Sequence, residues 1–419
     1  MKNMNIALVM GRGAEGAGIQ RYVIELSSYL IKQKINHEIF IIDDKKWGRG
    51  KMQTFPKEPK FITKSEIDNF AETLNKFEYV FIHSVPSTKH SQWAIDGFLK
   101  AVKEITVKKI LFQNDHKLAS IHRNANFFDI CELCDGIVTF SATSPFYNKL
   151  VELFGEQMRK RFIPLINGFN FDNLIKYRKT KHWKKITYLG RYATFKEPDR
   201  LFAFLPYSKE NKILLEMKGV ERSLGALPIF YENIEKRIPR KDIYEVTSRA
   251  IANGLIVDND KRDFEHIYIY GPYEYEDGME SLSSSLVGAD FYHLDAKAYG
   301  NSIEYAQCEI IGVGCVPLFD YHWAENTWVY DKGKQTDKRY IDLEYYGLFL
   351  KKDCSNIKEI VEKINEIYSN KTLHKKYLDC SLEITRNHCD CDWIFFYLLE
   401  NIQKIEKAKI IKVKTKALF

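Results

Sequence analysis

Residues 5–18 constrain the fold more than any other stretch of this 419-residue chain. An apolar run, Asn5-Ile6-Ala7-Leu8-Val9-Met10, gives way to Gly11-Arg12-Gly13-Ala14-Glu15-Gly16-Ala17-Gly18. Beyond it, Ile19, Tyr22, Val23, Leu26 and Leu30 share one face of a helix reaching Lys34, and His37-Glu38-Ile39-Phe40-Ile41-Ile42 reads as a second strand. Strand, glycine loop, helix and strand make a βαβ unit. Such units build doubly wound α/β domains that hold ligands at the carboxyl ends of their strands. Strand-like runs at 79–82, 109–112 and 136–140 each open into a polar loop: His83-Ser84-Val85-Pro86-Ser87, Gln113-Asn114-Asp115-His116 and Ser141-Ala142-Thr143-Ser144. Polar side chains are thus delivered repeatedly to one edge.

The chain is too long for one ordinary core, so two domains are expected. A first Rossmann-like domain covers 1–168 and a basic, poorly periodic connector covers 169–185. A second α/β domain covers 186–380, with strands at 186–191, 212–216, 266–271 and 315–319. The remainder, 381–419, is helical, aromatic and finally Lys-rich, and is expected to pack back on the first domain. Apolar residues at 45% and charged residues at 28% exclude wholesale disorder. No run of 18 apolar residues and no signal-peptide pattern is present, so neither a membrane span nor secretion is expected. Sixty-three Lys plus Arg against 56 Asp plus Glu, a net +7, permit a polyanionic partner without demanding one. Cys131-x-x-Cys134 and Cys389-Asp390-Cys391 invite a zinc reading, but no second CxxC follows. Buried, reduced thiols are the better expectation.

Gly11-x-Gly13-x-x-Gly16 is a literal GxGxxG, and Asp43 and Asp44 end the second strand, so an NAD-dependent oxidoreductase is a rival reading. Against it, Gly18 lengthens the loop, and the acid lies further on than the usual spacing of about 20 residues. A purely structural tight turn is the plainer alternative. In the second domain, Gly190-Arg191-x-x-x-x-Lys196 follows a strand. Two cations so placed suit a diphosphate leaving group, whose negative charge grows as the sugar–phosphate bond breaks. Later comes Glu304-Tyr305-Ala306-Gln307-Cys308-Glu309 running into Gly312-Val313-Gly314-Cys315-Val316-Pro317. A carboxylate on that segment can accept both ribose hydroxyls of a nucleotide. Either pattern alone could be a solvated charge pattern.

Taken together these residues resemble retaining glycosyltransferases of the GT-B architecture, two Rossmann-like domains facing a central cleft with a C-terminal helix returning to the first. Pro164-x-x-Asn167-Gly168 resembles the signature that closes the first domain in many of them. Many members carry a second Glu eight residues before the ribose Glu; here Asn301 stands there and Glu304 lies five before Glu309. The chain looks like the DNA α-glucosyltransferase family of T-even phages over most of its length. The matching blocks are the glycine loop with Glu15, Ser84-Val85-Pro86, Gln113-x-Asp115-His116, Arg123-Asn124, Gly190-Arg191 with Lys196, and Gly219-x-Glu221-Arg222-Ser223. Glu304-Tyr305-x-x-x-Glu309 leading to Gly314-x-x-Pro317 completes them. Asn114 stands where the family pattern has His.

The resemblance implies transfer of a sugar, from UDP-glucose or UDP-arabinose, to 5-hydroxymethylcytosine in double-stranded phage DNA, with retention at the anomeric carbon. Donor-binding residues would be Gly16, Gly18, Arg191, Lys196, Glu221, Arg222, Ser223, Glu304 and Glu309. Asp115 would orient or deprotonate the hydroxymethyl group with help from His116, and Asn114, Arg123, Lys179 and Lys181 would meet the acceptor DNA. No obligatory metal is expected, because cationic side chains can neutralise the diphosphate. The base must leave the duplex to be modified. Candidate phosphate contacts are Arg159, Lys160, Arg161, the connector lysines, and Lys407, Lys409, Lys412, Lys414 and Lys416, each cluster having a solvated face as its plainer reading. The expected location is the cytoplasm of an infected bacterial host. A glycan or lipopolysaccharide acceptor, or a non-catalytic DNA-binding role, are the other readings, and the sequence does not set the oligomeric state.

Overall fold

The computed structural model describes residues 4–11, 17–44, 54–112, 124–139, 145–180, 182–192, 196–220, 240–246, 262–271, 273–292, 303–326, 328–339 and 344–405. The chain divides into two compact units. The first holds Met1–Phe169 and Cys389–Phe419, the second Asn170–Leu294 and Ile303–His388. In the first unit the strands are β1 (Asn5–Met10), β2 (Asn36–Ile42), β3 (Lys60–Ile62), β4 (Tyr79–Ser84), β5 (Lys108–Phe112), β6 (Gly136–Thr139) and β7 (Phe162–Pro164). They lie in the order β3-β2-β1-β4-β5-β6-β7, every described pairing parallel.

The second unit holds β8 (Trp183–Arg191), β9 (Leu214–Val220), β10 (Ile243–Val246), β11 (Ile267–Tyr270), β12 (Ser285–Asp290), β13 (Val316–Asp320), β14 (Trp328–Asp331), β15 (Lys334–Arg339) and β16 (Leu348–Leu350). Strands β14 and β15 pair antiparallel by themselves, and the rest form a parallel sheet in the order β10-β11-β9-β8-β12-β13-β16. In each sheet successive strands leave to opposite sides of a central one, between β1 and β4 and between β8 and β12. The carboxyl ends of strands at such a switch point border a crevice, the usual ligand position of these folds. Both units are Rossmann-like, as the GT-B architecture requires.

Helices α1 (Ala17–Lys32), α2 (Gln92–Glu104), α3 (Tyr275–Ser283), α4 (Tyr305–Gly312), α5 (Lys371–Cys389) and α6 (Cys391–Lys404) accompany these sheets. A parallel sheet covered on both faces buries both sides of each strand, which is why Ile6 to Met10 are all apolar and fully buried. In the first unit Ala7, Val9, Phe40, Val80, Ile82 and Leu111 join Ala94, Phe98 and Val102 of α2 in one core. The C-terminal helix α6 belongs to this unit: Phe395 packs edge-on to Tyr22 of α1 at 5.6 Å, and Lys32 pairs with Asp392 at 2.6 Å. In the second unit Ile186, Tyr188, Met217, Ile269, Val287 and Leu318 pack with Leu201, Phe202, Ile360 and Ile364.

Two stretches differ from their sequence reading. Within 169–185, Phe171–Tyr177 forms a 3-10 helix with Phe171, Leu174 and Tyr177 buried, and β8 begins at Trp183. Apolar residues every third position there match a 3-10 turn, so the stretch is part of the second unit's body. The tail as described, to Ile405, belongs to α5 and α6, and the division expected at 380 falls inside α5. Asp390, accepting from Asp392 N at 3.0 Å, caps α6 and separates it from α5.

Candidate active site

The carboxyl ends of β8 and β12 lie beside a group of ionisable and aromatic side chains, Lys196, Glu304, Asp290 and Tyr292. Arg191 is the last residue of β8, though its side chain lies outside the described atoms. Five residues on, the Lys196 ammonium lies 3.2 Å from Glu304 Oε2 and 4.1 Å from the centre of the Tyr292 ring. The Lys196 side chain is 13% exposed and that of Glu304 32%. Asp290 ends β12 and is 2% exposed. Its Oδ1 accepts the Tyr292 N–H at 3.1 Å. Burial raises the Asp290 carboxyl above its ordinary range, with Lys196 opposing the shift and Glu304 adding to it.

Helix α4 delivers both family glutamates from one rigid element. Glu304 is its N-cap, and Gln307 Oε1 accepts the Glu304 N–H at 3.1 Å, satisfying a donor that the first turn leaves open. At its other end Gly314 adopts φ +90, a left-handed conformation that only glycine takes cheaply, and Cys315 N closes onto Ile310 O at 3.0 Å. Arg178 Nε donates to Gly312 O at 2.8 Å, placing a cation on the negative end of the helix dipole. The helix lies directly on β12: a Cβ on Gly288 would stand 2.6 Å from the Ile310 side chain. Glu309 is half-buried on this helix. After burial itself, its charge is what raises the Tyr273 hydroxyl pKa, so the two groups are close.

In the first unit the glycine loop leaves β1 through Gly11, whose N–H donates to Ser84 O at 2.8 Å across the switch point. Gly18, at the start of α1, is exposed, and a Cβ there would meet nothing within 4 Å. Packing therefore does not demand a glycine at that position. The Ser84-Val85-Pro86 and Arg123-Asn124 blocks adjoin: Ala125 N donates to Pro86 O at 2.9 Å, and Ser87 bridges Asn124. Asp44, the acid a dinucleotide ribose would need, accepts instead from the Ser91 hydroxyl at 2.9 Å at the start of α2. Gly16, Asn114, Asp115, His116, Arg123, Lys181, Glu221, Arg222 and Ser223 lie outside the described residues, as do Lys407, Lys409, Lys412, Lys414 and Lys416.

Several basic residues expected on a phosphate-binding face are engaged elsewhere. Arg161 is buried and donates to Glu132 O at 2.8 Å and Cys134 O at 3.0 Å, so it satisfies carbonyls at the end of the helix Phe127–Leu133. Lys185 is buried in β8 at 3.2 Å from Glu216. Lys184 donates to Asn211 O at 2.6 Å and Arg159 pairs with Glu156, whereas Lys179 makes only an exposed surface pair with Glu280 at 2.5 Å, which a phosphate can displace. Lys160 and Lys176 are exposed. Cys131, Cys134, Cys389 and Cys391 are buried free thiols, and burial pushes the Cys134 thiol up to about 12. Among the described residues, Asp390, Cys391 and Asp392 form a group within 4.8 Å of the kind that could hold a metal, yet Asp390 caps α6 and Asp392 pairs with Lys32.

Sequence reasoning missed Asp290, Tyr292 and Tyr273. Asp290 closes the strand Ser285-Leu286-Val287-Gly288-Ala289-Asp290, which is rich in small residues and carries little local strand signal; Tyr292 follows it by two residues, and Tyr273 stands in the loop before α3. The readable trace was an acid at the end of a short apolar run, as Asp43 follows β2.

The model of the family described as DNA alpha-glucosyltransferase matches residues 17–372 of this chain. The DNA alpha-glucosyltransferase of Enterobacteria phage T4 is 24% identical over 413 residues, covering 94% of this chain and 98% of that protein. A solved alpha-glucosyltransferase in complex with UDP and a 13-mer DNA containing a HMU base superposes with TM-score 0.78 at 21% identity, over 96% of this chain and 100% of that one. Another, in complex with UDP-glucose and DNA containing an abasic site, gives the same values. Anabaena HepE in complex with UDP and glucose is similar at TM-score 0.55 and 9% identity, over 96% of this chain and 100% of that one.

Proposed function

Because the chain belongs to the DNA alpha-glucosyltransferase family, we propose that it moves glucose from UDP-glucose to 5-hydroxymethylcytosine in duplex DNA, retaining the anomeric configuration. The observation that carries the donor half is the Lys196–Glu304 pair at the switch point between β8 and β12. A UDP leaving group needs fixed positive charge at its diphosphate and a carboxylate at its ribose. Lys196 and Arg191 supply the first, with no obligatory metal, and Glu309 on α4 supplies the second. Glu304 holds the Lys196 ammonium in place before the donor arrives, so less reorganisation is left for the reacting step. Gly16, Gly18, Glu221, Arg222 and Ser223 complete the donor set.

The acceptor half rests on the family. The relatives solved with DNA carry an HMU base, an abasic site or a mismatch. In this chain Asp115 takes the proton of the hydroxymethyl group or orients it, His116 and Asn114 assist, and Arg123, Lys179 and Lys181 meet the acceptor strand. The base turns out of the stack, at a cost of about a few kcal/mol that phosphate contacts offset. No described helix is long and apolar enough to cross a membrane. The DNA acceptor places the reaction in the cytoplasm of an infected bacterium.

The test is mass spectrometry of nucleosides from hydroxymethylcytosine-containing duplex incubated with the protein and either UDP-glucose or UDP-arabinose. A hexose-sized gain with UDP-glucose is expected. A pentose-sized gain alone would reassign the donor. UDP binding without gain from either donor would move the acceptor from DNA to a glycan.

A further inference from the structure

Asp290 is a buried acid that no motif accounts for. One of its oxygens accepts the Tyr292 N–H at 3.1 Å; the other, Oδ2, is buried without a hydrogen-bond partner among the described residues. A half-satisfied buried carboxyl is costly in a core and is rarely kept for packing alone. Its neighbours show what the cost maintains. The turn that Asp290 closes carries Tyr292, the Tyr292 ring lies under the Lys196 ammonium at 4.1 Å, and Gln307 of α4 reaches Tyr292 O at 3.4 Å. Tyr292 is therefore fixed at its N–H by β12 and at its carbonyl by α4, and its ring supports the cation from one side while Glu304 holds it from another.

We propose that Asp290 is a positioning residue for the donor site, locking the Tyr292 turn so that Lys196 is held where the donor's diphosphate is met. The proposal rests on the donor-site reading given above. Electrostatics favour it. A second ionised carboxylate beside Glu304 would neutralise Lys196 and repel the diphosphate. Burial raises the Asp290 carboxyl toward its neutral form, in which its remaining oxygen adds no charge. A neutral amide of the same shape should then serve nearly as well, whereas loss of the oxygen that holds Tyr292 should not.

The test compares Asp290→Ala, Asp290→Asn and Tyr292→Leu with the wild-type protein by calorimetric UDP titration and by transfer kinetics on hydroxymethylated duplex. Asp290→Ala is expected to weaken UDP about tenfold and to lower kcat/KM for UDP-glucose by at least as much, with the DNA KM held within about threefold. Asp290→Asn recovers most of that affinity. Tyr292→Leu weakens UDP to the level of Asp290→Ala, and it carries the test if Asp290→Ala does not fold. UDP affinity within about twofold of wild type in a folded Asp290→Ala or in Tyr292→Leu overturns the proposal. So does an Asp290→Asn variant as weak as Asp290→Ala. A wild-type protein that binds no UDP overturns the donor-site reading itself.

Discussion

Lys196 has an aromatic face on one side and a carboxylate on another, so its charge is oriented without being buried. A lysine left in water would spend rotamer entropy to meet a diphosphate, and this one has already lost much of that freedom. Lys196→Ala should lower kcat/KM for UDP-glucose about 100-fold, equivalent to about 2.7 kcal/mol, while leaving DNA affinity near the wild-type level. Steady-state kinetics with a parallel DNA-binding titration separate the two. Loss of both together would mean that Lys196 supports the fold more than the donor. The sequence exposed Lys196 and the two glutamates because cation and acid spacings are written in one dimension. It could not expose Tyr292, one aromatic among 52 Tyr and Phe residues, whose role depends on a neighbour 96 positions away by number alone.

At the scale of elements, α4 on β12 decides where the glutamates stand. Gly288 exists because Ile310 occupies the space its side chain would need. Gly288→Val should therefore push α4 outward and destabilise the protein by about 1–3 kcal/mol in urea unfolding. It should also raise the UDP-glucose KM by displacing Glu304 and Glu309. A Gly288→Val protein as stable as wild type would show that the helix is free to shift. A second element-scale feature lies between β8, β9 and α3, where Glu216 is buried with Lys185, Arg262 and Lys218 around it and Ser281 donating to it. Burial alone would raise the Glu216 carboxyl; the three cations and the hydroxyl overcome that and hold it far below the ordinary carboxylate range. With a depressed folded pKa, its contribution to stability is present above the unfolded value of about 4.3 and is lost as pH falls below it. Acid unfolding followed by circular dichroism should thus be shallower below about pH 4.3 in Glu216→Gln than in wild type, although the variant is less stable at neutral pH.

For the molecule as a whole, the net charge is +7, and within its basic runs Arg161 and Lys185 are buried while Lys160 and Lys176 are exposed. Binding to hydroxymethylated duplex should weaken linearly in log[salt], and Lys160→Ala should reduce that slope by about one at unchanged folding. Arg161→Ala should instead lower the melting temperature, since it removes the donor to the buried Cys134 carbonyl and the part-buried Glu132 carbonyl. An Arg161→Ala protein that melts like wild type and loses one unit of salt slope would reverse these roles. By itself the sequence determined the two Rossmann-like units, the first glycine loop, the Gly-Arg and Lys pattern and the glutamates of α4. Each of these is encoded by residues close together, where hydrophobic period and spacing can be read directly. Only the tertiary structure decided that Asp290 and Tyr292 stand beside Lys196, and that Arg161 and Lys185 lie inside. It also built the connector into the second unit. Those facts depend on which distant segments share a sheet edge, and burial, which sets the chemistry of a charged side chain, is a property of the packed chain and not of its order.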